Sequence, residues 1–513
     1  MLNIPAWFAN LASPQPGTAD ASESSELLTA RSGRTPWWAI SESSARALLL
    51  VLIVCYTLLF SLASAAKYWW FGQGHDLVLH EQAIWNTVQG RVFEVTGFIR
   101  PSRLFGYDPY LIELLVVPLY ALIPSVHTLF VLQSLALALG AVAVWRIARD
   151  AGLMPLLALL AAVMYLAYPT VQYTNLDAFR ERSFGLCFFL WAMWAFRRQR
   201  WRIFLTLLVL LIICRLEAAL LASCFGVYAW LCGRRGRYVI VPLVLGLGYF
   251  FIGNFVFVPL VNQGQPVSYV YDYFKPLGHS MGEVLLTVAT RPLYTLGVVW
   301  SWQKVVYLLL LLLPVAGLAL LSPRELIFML PVLGLNLLAT KPELSNVRYW
   351  YSALLVGPLI VASIGGIRRV QQWWPMTRRR PWLLVLPVLS ALALANIVTP
   401  NPVISLVRHH ESPARRAAAN ALIAQIPPDA RVAATGRLAP HLLRRYLYYF
   451  PLADQVVLPT LDYIAVDVGL GSASFEEDSS RAQLDTLRSS DQWELVFDEQ
   501  GFQLFRRRSS ETT

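Results

Sequence analysis

Long apolar runs separated by short polar knots dominate the chain. Residues 47–66 are almost uninterrupted Leu, Val, Ile, Ala and Phe, enough to cross a hydrocarbon core of about 30 Å as a helix over 46–68. Ten further runs lie near 126–146, 153–171, 183–197, 203–214, 216–232, 238–260, 303–321, 326–340, 351–367 and 382–398. The pattern predicts a mainly α protein, a polytopic membrane helix bundle of about eleven spans. Several runs are short for a crossing, which predicts tilted or broken helices. The stretch 109–123 is set aside as a twelfth span, because Asp108, Pro109, Glu113, Pro118 and Pro124 interrupt it. It reads as an interfacial or re-entrant helix, so 69–125 becomes one large loop carrying two such helices.

After Pro402 the periodicity changes. Residues 412–426 read as a helix capped by Ser412 with Pro413 at its first position. Strands are expected at Arg431–Thr435, Tyr446–Phe450, Asp462–Asp467, Trp493–Phe497 and Phe502–Arg506, with a helical turn at Leu438–Leu443 and a helix near 479–489. The chain therefore divides into a tail (1–45), a membrane domain (46–399) and a C-terminal α/β domain (400–513). The tail is rich in Ser, Thr and Ala and reads as disordered, with a short amphipathic start at Ile4–Leu11. Its first apolar run lacks a small-residue cleavage site and reads as a retained anchor.

Composition agrees with the membrane reading. Apolar residues make up 57% and charged residues 14%, against about 25% charged in soluble domains. The 18 Trp and 22 Tyr suit two interfacial aromatic belts. Orientation follows from arginine. With the N-terminus inside, the short inner turns carry Arg146/Arg149, Arg197/Arg198/Arg200/Arg202, Arg234/Arg235/Arg237, Arg324 and Arg368/Arg369/Arg378/Arg379/Arg380. The long segments 69–125, 172–182, 263–302, 341–350 and everything after 399 fall outside. The net charge of +11 thus reflects topology, and no basic soluble face suggests nucleic acid. All five cysteines lie in or beside apolar spans, so no disulfide framework is expected. No C-x-x-C, H-E-x-x-H, P-loop or G-x-G-x-x-G pattern stands in a supporting context.

Four outer clusters carry candidate chemistry. The first is His75, Asp76, His80 and Glu81. In a helix over 76–89, Asp76 and His80 lie one turn apart on one face. Leu77, Ile84, Trp85 and Val88 would form an opposite apolar face on the membrane. An acidic residue at the exit of a span is costly unless it serves a site; the plainer role for Asp76 is to cap the helix after Gly74. The second cluster is Asn175, Asp177, Arg180, Glu181 and Arg182. Its carboxylates suit a divalent cation or a sugar hydroxyl and its arginines a phosphate, unless the turn is simply self-neutralising. The third is Arg215 and Glu217, a charged point within a bundle or a locally paired hairpin. The fourth is Lys341, Glu343, Asn346, Arg348 and Tyr349, a phosphate site or an interfacial anchor.

The segment His75-Asp76-Leu77-Val78-Leu79-His80-Glu81-Gln82-Ala83-Ile84-Trp85-Asn86 resembles the first signature of a bacterial membrane family, domain-of-unknown-function family 2079. Tyr173–Phe179, Cys214–Leu220, Arg348–Ala353 and Ala439–Leu442 are similar to later stretches of that family in the same order. The family in turn resembles the GT-C glycosyltransferases, which take sugars from polyprenyl phosphates. The resemblance implies that Asp76 occupies the place of the first-loop catalytic carboxylate. There are departures. The family's Phe-Asp-Phe-His-Pro is Leu176-Asp177-Ala178-Phe179-Arg180 here, its Arg-Glu-Asp is Arg215-Leu216-Glu217, and a frequent His is Trp350.

The expected function is an inverting glycosyl transfer at the outer face of the bacterial inner membrane. Asp76, Glu81 and Asp177 are the catalytic candidates. His80, Arg180, Glu181, Arg182, Arg215, Glu217, Arg348 and Tyr349 are the candidates for binding substrate or phosphate. Expected partners are a polyprenyl-phosphate sugar, a lipid, glycan or protein acceptor, and membrane lipids. The one cofactor suggested is a divalent cation. The rival reading is a non-catalytic lipid or polysaccharide transporter, or an assembly scaffold derived from the same fold.

Overall fold

The computed structural model describes residues 40–96, 102–262, 273–452, 455–469 and 478–508. The amphipathic start expected at Ile4–Leu11 lies outside the described residues. Helix α1, Glu42–Trp69, has 28 residues. It starts ahead of the apolar run because Ser41 Oγ accepts a hydrogen bond from the Ser44 amide at 3.0 Å, a side-chain cap for the first turn.

All eleven expected segments are helical. Five helices are long and apolar enough to cross a membrane unaided: Glu42–Trp69, Val126–Asp150, Arg237–Val261, Trp350–Trp373 and Trp382–Arg408. Two bent pairs raise this to seven if each is one span. They are Pro155–Leu166 with Pro169–Asp177, bent by 45°, and Pro292–Val299 with Trp302–Val315, bent by 72°. Trp201–Ile212, Leu216–Leu231 and Glu325–Leu338 are apolar but shorter than a crossing. Glu113–Leu122, within the stretch set aside above, has 10 residues.

The chain forms two compact units. The first comprises the start of α1, residues 134–174 and residues 180–401. Its helices Leu216–Leu231 and Arg237–Ile252 form a close hairpin through two glycines. A Cβ at Gly226 would lie 2.5 Å from the Val239 carbonyl oxygen, and one at Gly246 would lie 2.5 Å from that of Ala219. Small residues let helix backbones approach in this way.

The second unit comprises residues 59–133, 175–179 and the chain from Pro402 onward. After α1 come helix α2 (His75–Val88), the antiparallel pair β1 (Glu94–Val95) and β2 (Ser102–Arg103), and helix α3 (Glu113–Leu122). Helix α4 (Pro413–Ala424) leads into a five-stranded sheet, with helix α5 (Asp478–Ser489) ahead of its last two strands. The strands are β3 (Arg431–Ala434), β4 (Tyr446–Tyr449), β5 (Tyr463–Asp467), β6 (Trp493–Glu499) and β7 (Phe502–Arg507), in the order β4-β3-β5-β7-β6. β3 runs parallel to β4 and β5, while β7 is antiparallel to β5 and β6.

Alternation along the strands separates two cores. Val432, Ala434, Leu447, Ala465 and Leu504 pack on one face, and Ala433, Tyr448, Ile464, Val466 and Phe505 on the other. The first face is completed by Phe71 and Val78, from the corner between α1 and α2. The sheet is therefore built together with the 69–125 loop and does not stand apart after residue 400. Phe71 and Val78 join a core whose other buried members come from the C-terminal segment.

Candidate functional site

Helix α2 starts at Gly74, whose extended backbone serves as N-cap with no side-chain capping bond. Asp76 is the second helical residue, half-buried in the first turn, where the helix dipole favours a negative charge. It is not the cap. Beside it, the Tyr449 hydroxyl donates to the His75 carbonyl at 3.1 Å, and the two rings meet at 4.0 Å between centroids. Burial pushes the Tyr449 hydroxyl well above its usual pKa, and the charges of Asp76 and Tyr107 push in the same direction. Burial lowers His75 to about 4 even though Asp76 pulls it upward. Asp76 thus sits beside an imidazole and a phenol that burial keeps neutral.

The rest of α2 departs from the expected amphipathic helix lying on the membrane. Leu77 and Ile84 are fully buried within the protein. The polar face is buried as well. His80 Nδ1 lies 2.5 Å from Glu113 Oε1, and the Glu113 side chain is 0% exposed. Glu81 is 2% exposed and accepts from the Tyr120 hydroxyl at 2.8 Å. Burial raises its pKa to about 7, opposed by the Tyr120 hydrogen bond and the charge of Arg444. Its Oε2 has no hydrogen-bond partner among the described residues. Gln82 donates to Thr96 Oγ1 at 2.9 Å and to the Leu443 carbonyl at 3.0 Å, and Thr96 Oγ1 donates to the Leu447 carbonyl at 3.0 Å.

Glu113 and Tyr120, seven residues apart on α3 and so on one face, supply the partners of His80 and Glu81. Sequence reasoning saw Glu113 only as an interruption of an apolar run and passed over Tyr120. The 7-residue spacing was the available signal. Lys67 was also missed: at the end of α1, its Nζ donates to the carbonyls of Leu176 at 3.0 Å and Asp177 at 2.8 Å. It thereby satisfies the C-terminus of helix Pro169–Asp177. The Asp177 side chain is half-buried.

In the first unit, residues read as two separate clusters form one. Glu181 Oε1 meets Arg182 Nη1 at 3.2 Å and Arg215 Nη1 at 2.9 Å. Arg182 Nε meets Glu217 Oε1 at 2.5 Å, and Arg215 Nε lies 3.6 Å from Glu217 Oε2. Two cations and two anions balance. Glu181 and Arg182 are sealed at 0% and 1% exposure, while Arg215 and Glu217 keep 22% and 19%. The Arg180 guanidinium lies 3.5 Å over the Trp350 ring, and that of Arg182 lies 5.6 Å over Tyr351. Tyr349 is half-buried and Arg348 exposed.

Glu181 Oε1 meets two guanidinium groups, and among the described residues no group of three or more His, Cys, Asp and Glu is arranged to hold a metal ion.

No curated protein matches the chain. Among solved structures it is similar to ArnT from Cupriavidus metallidurans bound to undecaprenyl phosphate, at 13% identity and a TM-score of 0.48, covering 90% of this chain and 98% of that one. The family comparison matches residues 67–504, which contain every candidate residue above, and the chain belongs to the predicted membrane protein family DUF2079.

Proposed function

We propose that the protein is a membrane glycosyltransferase that moves a sugar from a polyprenyl-phosphate donor to an acceptor at the outer face of the membrane, with Asp76 as general base. The observation that carries this reading is the contrast along α2. His80 and Glu81 are buried against α3, whereas Asp76, at the exit of a membrane-length helix, remains half-buried. It is the carboxylate of that helix open to a substrate.

Asp76 takes the proton from an acceptor hydroxyl. The acceptor oxygen then bonds to the anomeric carbon as the bond from that carbon to the phosphate oxygen breaks, and the polyprenyl phosphate leaves with the electron pair. That leaving group needs charge stabilisation more than a proton. Of the cations proposed for it, Arg348 and Arg215 retain exposure, while Arg180 and Arg182 are buried and engaged. Glu81 is better suited to holding a proton than to reaching a substrate. In this orientation the N-terminus is cytoplasmic and the sheet extracytoplasmic.

The second reading, a non-catalytic lipid or polysaccharide handler, is favoured by the self-neutralised quartet of Glu181, Arg182, Arg215 and Glu217. Sugar transfer by purified protein from a panel of polyprenyl-phosphate sugars separates the two. Transfer that vanishes in Asp76→Asn supports the base. Lipid binding without turnover from any donor supports the handler.

A further inference from the structure

The edge of the sheet carries a second built feature, unrelated to α2. Strand β6 has a β-bulge between Leu495 and Phe497. Ahead of it, Trp493 and Leu495 share one face, and strict alternation would place Phe497 there next. The extra residue turns Val496 and Phe497 to the opposite core and delivers Asp498 to the face of Trp493 and Leu495, opposite Gln503 of β7. Bulges commonly re-aim side chains in this way beside sites.

The result is a cleft of about 270 Å³ between this face and α5. Leu487, Trp493 and Phe505 form its apolar floor, and Leu495, 44% exposed, stands at its edge. One wall is a chain of planar polar groups. Arg488 Nη2 donates to Gln503 Oε1 at 2.9 Å, and Gln503 Nε2 donates to Asp498 Oδ2 at 2.9 Å. Gln503 is 5% exposed, so the middle of the wall is fixed, while both ends are open to solvent. Arg488 also lies 3.8 Å from Asp485, one turn back on α5.

We propose that this cleft binds one neutral saccharide ring. The wall ends in a pure donor and a pure acceptor. Adjacent ring hydroxyls, each able to donate and accept, match such a pair, and the C–H face of a pyranose matches the apolar floor. The charges of Arg488 and Asp498 cancel, which disfavours phosphate or another anion. The volume sits just below the ~300 Å³ at which ordinary ligand pockets begin, enough for one ring and too small for an oligosaccharide. A saccharide site on this sheet goes beyond the transfer chemistry assigned to Asp76 and gives the C-terminal segment a recognition role.

The test uses full-length protein in nanodiscs with methyl glycosides of glucose, galactose, mannose and N-acetylglucosamine, read by saturation-transfer NMR and calorimetry. At least one glycoside should bind, with discrimination among the isomers. Asp498→Asn and Arg488→Gln should each weaken it by at least about tenfold, the scale of one lost charged hydrogen bond. Glu494→Gln, on the same strand but outside the cleft, should leave it unchanged. Unaltered thermal unfolding of the variants confirms that the sheet is intact. No glycoside binding by wild type, binding indifferent to both substitutions, or capture of an extended peptide along β6 in their place overturns the proposal. Binding is read without transfer, so an inactive Asp76→Asn protein should still bind, and failure here leaves the transferase reading standing.

Discussion

His80 and Glu113 face each other at 2.5 Å with side-chain exposures of 5% and 0%. A pair this deeply buried stabilises only while both members are present, since removing one strands the other without its partner. Glu113→Ala and His80→Ala should each cost about 3–5 kcal/mol. The double variant should cost clearly less than their sum. Chemical unfolding in a double-mutant cycle measures the coupling, and simple additivity would show that the pair does not act as a unit.

The raised pKa of Glu81 fixes the sign of a pH effect. Folded Glu81 holds its proton up to about 7, whereas an unfolded carboxyl releases it near 4.5. Between these values the folded state binds more protons, so stability from this group falls as pH rises through that window. The full swing is ~3 kcal/mol. His75 and His441, both lowered to about 4 by burial, act oppositely and favour higher pH. The informative curve is therefore the difference between wild type and Glu81→Gln from pH 5 to 8. Wild type should lose stability relative to the variant as pH rises.

Exposure separates binding cations from structural ones in the first unit. Arg182→Ala leaves Glu181 and Glu217 facing each other with one guanidinium gone and should destabilise by about 3–5 kcal/mol. Arg182→Lys should not restore the loss, because an ammonium cannot bridge two carboxylates as the guanidinium fork does. Arg348→Ala should instead leave unfolding unchanged and weaken polyprenyl-phosphate binding about tenfold, as measured by lipid titration. An Arg348→Ala protein with full lipid affinity would remove that residue from the donor site.

The hairpin of Leu216–Leu231 and Arg237–Ile252 has no room for a methyl group at Gly246, where the added Cβ would meet Ala219 O at 2.5 Å and Ser223 N at 2.7 Å. Gly246→Ala should cost about 1–3 kcal/mol by overpacking. Gly248→Ala, where nothing lies within 4 Å, should be close to neutral. Paired thermal melts of the two variants settle it.

Local signals carried the elements well. Ser412 caps α4 through its Oγ, which accepts from the Arg415 amide at 3.2 Å, as the Ser-Pro start suggested. Each strand of the sheet falls within about two residues of an apolar run bounded by turn residues. What a face packs against was not legible. A helical wheel puts Leu77 and Ile84 together but cannot distinguish lipid from protein as their cover. Glu113 lies 33 residues from His80, and Glu181 lies 34 residues from Arg215. Such pairings are created by the fold, so one cluster was read as two and two partners were missed. Asp76, singled out in the sequence, follows a residue whose carbonyl is held by Tyr449, more than three hundred and seventy residues later in the chain.

The hydrogen bond from Gln82 to the Leu443 carbonyl spans 361 residues of chain. At ribosomal rates of ~5–20 residues per second, roughly 20–70 s pass between the synthesis of its two ends. Throughout that interval the donors of α2 and the apolar surfaces of Phe71 and Val78 are already made, while their partners are not. The nascent chain thus presents an unfinished, adhesive loop while most of the later helices emerge, and its last hundred residues close it. Synthesis of the strand that carries Leu447 and Tyr449, and not insertion of the first helix, sets the earliest moment at which the site around Asp76 can exist.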